Sequence, residues 1–177
     1  GDNQGAGLVL VDLGASLHWD GKEEEAIGYL QQSLSLLQET GERWGIAYAL
    51  LWLGDTWFRM GDVERAATSW EESLRLTQEL GDHFLMAWSL GGLGDVARVR
   101  GDYKRATGMF KESLSLSQSS GDRHGPPFEL EALAQLLEHA VAHARRHPLE
   151  VARHEHGAGA VGRCRARHGR DRREVVR

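Results

Sequence analysis

The chain has little of what breaks helices or crosslinks a fold. It contains one cysteine, Cys164, so no disulfide can form within it. None of its prolines precedes Pro126, so no residue before that point interrupts a helix as proline does. No apolar run approaches the roughly 18 residues that a membrane-spanning helix needs. A lone cysteine is typical of a reducing compartment, and we expect a cytoplasmic protein without membrane contact.

The ends of the chain differ in character from its middle. The chain begins at Gly1, without a methionine and within a repeating pattern, and we interpret it as a piece of a longer protein. The net charge is −5, but acidic side chains predominate over residues 1–121, whereas arginine predominates over residues 145–177.

The sequence repeats with a period of 40 residues, so that Gly41, Gly81 and Gly121 are equivalent. Glycine recurs in the middle of each period, and an acidic residue follows most of these glycines. Glycine can supply the left-handed residue that ends one helix, and aspartate can cap the next. Between the glycines, apolar residues recur at the spacing of one helix face. The pattern predicts helices at 4–19, 22–39, 43–59, 62–79, 83–99, 102–119 and 127–146.

Small and bulky residues recur at fixed places within each period. A glycine follows a leucine in the first helix, at Gly14, Gly54 and Gly94. The second helix carries alanine, then a bulky residue, then serine, as at Ala66, Trp70 and Ser73. These residues resemble the tetratricopeptide repeat (TPR), although the period exceeds the usual ~34 residues. The resemblance implies an all-α fold, a right-handed superhelical stack of antiparallel helix hairpins.

The repeat pattern divides the chain into three parts. Residues 1–120 hold three 40-residue repeats, residues 121–147 hold a partial fourth repeat with a single helix, and residues 148–177 form a basic tail. The tail is rich in arginine and glycine, so we expect it to be disordered. Such a tail can bind nucleic acid or acidic surfaces. The alternative is a foreign or out-of-frame end, since the repeat pattern stops abruptly.

Long repeats with glycine–aspartate at both turns also resemble the helical arms of bacterial signalling ATPases and LuxR-type transcriptional regulators. This resemblance implies a protein–protein interaction scaffold, the partner-binding or sensing arm of a bacterial regulatory protein. The expected partner is a protein or peptide, and we expect no cofactor. The alternative is a structural spacer or self-assembly element with no specific ligand.

In TPR proteins the first helix of each hairpin lines a concave groove. Carried onto this sequence, the groove positions hold aromatic and charged side chains, which suit a peptide or another helix. They are Trp19, Tyr48, Asp55, Phe58, Arg59, Trp88, Asp95 and Arg98. His18 and Gly91 also fall on this face, whereas Trp57 and Trp70 are predicted to lie in the core. The two aspartates would repel a C-terminal carboxylate, which argues against a receptor for such tails.

The repeats do not contain the residues of a catalytic site, which needs a convergent nucleophile, base and orienting group, or a metal. We therefore predict no catalytic residues and no enzyme activity. His139, His143 and His147 follow one another at i, i+4 and i+8, which places three imidazoles on one helix face and makes them a weak metal-site candidate. The histidine- and arginine-rich composition of this segment is the alternative explanation.

The first helix is apolar on more than one face, since Leu8, Val9, Leu10 and Val11 follow one another. Large exposed apolar patches are uncommon on monomers. We therefore expect self-association through the N-terminal hairpin, as a two-fold homodimer.

Overall fold

A computed structural model describes residues 2–119, and within this range the chain is helical apart from short turns, with no strand. The helices are α1 (Asn3–Trp19), α2 (Glu23–Thr40), α3 (Arg43–Arg59), α4 (Val63–Leu80), α5 (His83–Val99) and α6 (Tyr103–Ser119). Each begins and ends within one residue of its predicted bounds. None of them combines the length and apolar character that crossing a bilayer requires. The predicted helix at 127–146, the tail at 148–177 and the candidate metal ligands His139, His143 and His147 lie outside the described residues.

Glycine ends each of the first five helices, as predicted. The glycines in these turns have φ between 69° and 84°, a region that side chains other than glycine rarely adopt. They are Gly21, Gly41, Gly61, Gly81 and Gly101. The sharp left-handed turn lets the next helix start two residues later, so successive helices run antiparallel.

Acidic side chains cap most of the helices. The carboxylates of Asp62, Asp82 and Asp102 each accept the backbone N–H three residues on, at 3.0–3.1 Å. These residues are caps and not helical residues, so α4 and α6 begin one residue later than the sequence pattern predicts. Lys22 occupies the equivalent position before α2 and makes no such hydrogen bond.

Successive helices form three hairpins, α1 with α2, α3 with α4, and α5 with α6. The first helices also touch across hairpins, α1 with α3 and α3 with α5, whereas the second helices of successive hairpins do not touch within residues 2–119. The first helices therefore form a closely packed layer, which we call the inner layer of the stack. The predicted all-α stack of helix hairpins is confirmed.

Each hairpin closes where a glycine of its first helix faces a bulky side chain of its second. A Cβ added at Gly54 would lie only 2.5–2.7 Å from atoms of the Trp70 indole. Gly14 meets Leu30 and Gly94 meets Phe110 in the same way. Because the interior is close-packed, these contacts set how near the two helices of a hairpin can approach.

A buried hydrogen bond repeats in every hairpin. The Ser33 hydroxyl donates to the Gly7 carbonyl at 2.7 Å, and the Ser73 hydroxyl donates to the Ala47 carbonyl at 2.9 Å. Ser113 repeats this bond in the third hairpin. The sequence pattern identifies these serines only as small residues. The structure adds that each fixes the register of its hairpin, because the bond needs one particular carbonyl opposite it.

Gly54→Ala is expected to lower the free energy of unfolding by about 1–3 kcal/mol, because the added methyl group would overpack the rigid Trp70 ring. Gly28→Ala is the matched control, since Gly28 lies inside α2 and an added Cβ there meets no atom within 4 Å. That change should raise stability by about 0.5–1 kcal/mol through the ordinary helix preference for alanine. Chemical denaturation followed by circular dichroism measures both. Equal effects of the two changes would contradict the close approach.

Candidate functional site

A pocket of about 390 Å³ lies on the inner layer, and all three hairpins contribute to it. Its walls are formed by α1, α3 and α5, together with one residue of α4. The lining residues are His18, Trp19, Asp55, Phe58, Arg59, Trp70, Trp88, Gly91, Gly92 and Asp95. We refer to it as the aromatic pocket.

Most of the predicted groove residues line the aromatic pocket, and the exceptions are Tyr48 and Arg98. Tyr48 lies nearer the start of α3, where its ring stacks on that of Trp44 with centroids 5.1 Å apart. Arg98 turns back along α5 and pairs with Asp95 at 2.7 Å. The structure thus brings the other predicted residues together, while their part in binding stays a prediction.

Trp70 lines the pocket although its sequence position predicts only a core role. Its side chain is 2% exposed, so the core prediction is confirmed. The indole Nε1 donates a hydrogen bond to Asp55 Oδ1 at 3.1 Å, and the Phe58 ring lies 5.6 Å away. One residue therefore packs the second hairpin and orients a carboxylate of the pocket.

Gly91 and Gly92 make room for the pocket by lacking side chains. A Cβ added at Gly92 would collide with the Trp70 indole. One period earlier, the equivalent positions hold Leu51 and Trp52. This loss of two large side chains in α5 is the sequence signal that could have located the pocket.

Arg59 is held at the edge of the pocket by the first hairpin. Its guanidinium donates to the carbonyl oxygen and to Nε2 of His18, the latter at 2.7 Å, and pairs with Glu23 at 3.2 Å. Because arginine only donates, Nε2 must accept, so Nδ1 carries the proton and donates to Thr56. Burial, and then the Arg59 charge, lower the pKa of His18 to about 4 against the opposing effect of Glu23. His18 is therefore neutral near pH 7.

Asp55 is the carboxyl group of the pocket that lacks an ion-pair partner among the described residues. Within residues 2–119 it forms no ion pair, whereas Glu23 pairs with Arg59 and Asp95 pairs with Arg98. Burial raises the pKa of Asp55 to about 7. The hydrogen bond from Trp70 and the charge of Arg59 oppose this rise, and the charge of Asp95 adds to it. Burial also raises the pKa of Asp95, against the effect of its Arg98 partner.

The stacked hairpins and the groove on their inner layer define a helical-repeat scaffold. Residues 45–119 match the family model of the tetratricopeptide repeat. TPR arrays generally mediate protein–protein interaction and are typically not catalytic.

The fold is similar to a crystal structure of nearly identical TPR-like repeats from Podosopora anserina, described as a kinesin light chain. The TM-score is 0.55 and the sequence identity 15%, over 78% of this chain and 74% of that chain. At this identity the likeness concerns the fold alone. No curated protein matches the sequence significantly.

The opposite pKa shifts of Asp55 and His18 predict a pH effect on stability. Folded Asp55 keeps its proton up to about pH 7, whereas the ordinary pKa is 3.8. Its contribution to stability therefore falls as the pH rises through this range. Folded His18 binds a proton only below about pH 4, whereas the ordinary pKa is 6.5. Its contribution therefore rises with pH, and the two effects oppose each other.

Asp55→Asn is expected to remove the fall in stability with rising pH that Asp55 causes, and to leave the rise that His18 causes. The Tm of the variant minus that of the wild type should therefore increase as the pH is raised from about 4 to 7. Thermal unfolding followed by circular dichroism across this range measures the difference. Asp12→Asn, at an exposed position of α1, controls for the loss of one negative charge. The same pH profile in both variants would contradict the burial of Asp55 as a carboxylic acid.

Proposed function

We propose that this array is a protein–protein interaction scaffold that binds a peptide segment of its partner in the aromatic pocket. The observation that carries this proposal is the pocket itself. Trp19, Phe58 and Trp88 provide apolar anchoring, and the carboxylates beside them provide directional contacts. Interfaces concentrate their binding energy in clusters of this kind.

The size of the pocket supports a peptide ligand. Ligand pockets usually have volumes of roughly 300–1,000 Å³, and this pocket of about 390 Å³ is near the lower limit. It suits one or two side chains of a longer segment that continues along the inner layer. Trp19, which is 60% exposed at the rim, offers apolar surface for the rest of that segment.

The biological setting that we propose is the partner-binding or sensing arm of a bacterial, cytoplasmic regulatory protein. Its support is the likeness of the 40-residue repeat, with glycine–aspartate turns, to the arms of signalling ATPases and LuxR-type regulators. A peptide-binding inner layer is consistent with such an arm, since its task is to hold a partner while other domains respond.

Trp19→Ala and Phe58→Ala are each expected to weaken peptide binding about 10-fold or more, because each removes an aromatic wall of the pocket. The ligand for this test is the tightest binder selected by the full chain from a displayed peptide library, and calorimetry measures its affinity. Tyr29→Ala is the matched control, since Tyr29 is an exposed aromatic residue of α2 outside the pocket.

The control should leave the affinity unchanged, and circular dichroism should report the same helicity for all three variants. If Trp19→Ala and Phe58→Ala bind normally while Trp44→Ala or Glu72→Gln abolishes binding, the binding surface lies at an edge or on the outer side. The proposal of a pocket ligand would then be wrong.

The second candidate function is self-assembly through the N-terminal hairpin. It is supported by the exposure of apolar side chains on α1, where Val9 is 67% exposed and Leu13 is 40% exposed. These residues lie four apart, so they form one patch on a helix face. A second copy of the chain could cover this patch in a two-fold homodimer.

Val9→Glu combined with Leu13→Glu is expected to shift the dimer to monomer at micromolar concentration, because burying two carboxylates at the interface is costly. Sedimentation velocity measures the change. Gln31→Glu, at an exposed position of α2, controls for added negative charge. A wild-type chain that stays monomeric, or a dimer that persists in the double variant, would rule out this interface.

A further inference from the structure

We infer that the aromatic pocket takes an arginine side chain of the partner's peptide, with its guanidinium at Asp55 and against the tryptophan rings of the pocket. This inference rests on the proposed function and adds the chemistry of the ligand. Three features of the pocket support it. They are its charge balance, its aromatic walls and the pairing of its own arginines with other groups.

The charge balance leaves one carboxylate for a ligand. Glu23 is paired with Arg59 at 3.2 Å, and Asp95 is paired with Arg98 at 2.7 Å. His18 faces the pocket from α1 as a neutral ring, and α4 contributes the uncharged Trp70. Ionised Asp55 is thus the excess negative charge among the described groups that face the pocket. A half-buried charge without an ion-pair partner is costly, and a ligand cation would lower that cost.

The resident cations do not supply this partner. Arg59 is the nearest candidate, since it lines the same pocket. Its guanidinium already contacts the carbonyl oxygen and Nε2 of His18 and the carboxylate of Glu23. Turning it toward Asp55 would break these contacts between the first and second hairpins. The pocket therefore stays open to a cation from outside.

The walls suit a guanidinium in particular. Four aromatic residues, Trp19, Phe58, Trp70 and Trp88, line the pocket. Cations are attracted to aromatic faces within about 6 Å, and tryptophan is the best partner. Arginine also stacks its planar group on such rings and can donate two parallel hydrogen bonds to a carboxylate. An anionic ligand would be repelled by ionised Asp55, and an aliphatic one would bury that carboxylate without an ion-pair partner.

Binding of a cation should depend on pH with a defined sign. Burial raises the pKa of Asp55 to about 7, and only the ionised carboxylate attracts the guanidinium. Affinity should therefore increase about 10-fold between roughly pH 6 and 8, as the ionised fraction grows. Asp95, whose pKa burial also raises, acts in the same direction. His18 stays neutral over this range and adds nothing to it.

The test compares two tripeptides, acetyl-glycyl-arginyl-glycine amide and the same peptide with citrulline, which has the shape of arginine without its charge. They are added to the full chain at up to millimolar concentration. The indole N–H signals of Trp70 and Trp88 are followed by NMR. The arginine peptide is expected to shift both signals, to bind at least about 10-fold more tightly than the citrulline peptide, and to bind more tightly as the pH rises.

Asp55→Asn should weaken binding of the arginine peptide at least about 10-fold and abolish the pH dependence of its affinity. The asparagine oxygen can still accept the Trp70 hydrogen bond, so the fold should persist. Glu71→Gln is the matched control, since it removes an exposed charge next to Trp70 on α4 and should change nothing.

Three results would overturn the inference. They are equal binding of the two tripeptides, an unchanged affinity in Asp55→Asn, and no effect of either tripeptide on the indole signals. In each case, binding of the peptide selected from the displayed library tests the proposed function separately. If that peptide still binds and its binding still requires Trp19 and Phe58, the proposed peptide-binding function is supported and only the inference of an arginine side chain is wrong.

Discussion

The close approach of Gly54 to Trp70 is the contact on which the rest of the array depends. It sets the spacing of α3 and α4, and the same indole meets Gly92 of the next hairpin. One side chain therefore spaces two hairpins, and its Nε1 also orients Asp55. Because a close-packed interior transmits small displacements, a change at this ring would alter the packing and the pocket together.

The pocket lowers the stability of the fold, and the pH dependence of wild-type stability shows only part of this effect. A carboxyl group buried beside a second carboxylate favours its neutral form, as the raised pKa of Asp55 indicates. The lowered pKa of His18 has the opposite effect on stability over nearly the same pH range. The contributions of the two residues to the pH dependence of stability therefore cancel between about pH 4 and 6.5, although each shift by itself lowers stability. Functional sites commonly retain such unfavourable groups because a ligand, and not the folding reaction, satisfies them.

Features that depend on one period were predictable from the sequence, and features that depend on neighbouring hairpins were not. Helix bounds, glycine turns and the face that carries Asp55 and Phe58 all follow from local spacing. The contact of Trp70 with Gly92 requires the distance between two hairpins, which no local pattern contains. Helix periodicity gives the side of α3 on which Tyr48 lies, but not the place along α3 at which the pocket forms. Tyr48 precedes Asp55 by nearly two turns, roughly 10 Å, and so misses the pocket.

Apart from Trp70, which serves both, the stack and the pocket depend on different features of the repeat. What recurs in every period, the glycine turns and the serine hydrogen bonds, builds the stack. A strictly repeated array would present the same surface at each hairpin and could not favour one site. The pocket forms where the repetition fails, since Gly92 replaces the Trp52 of the previous period, and Ala15 stands where later periods carry Asp55 and Asp95. The departures from the repeat thus supply both the space and the charge from which we infer the ligand.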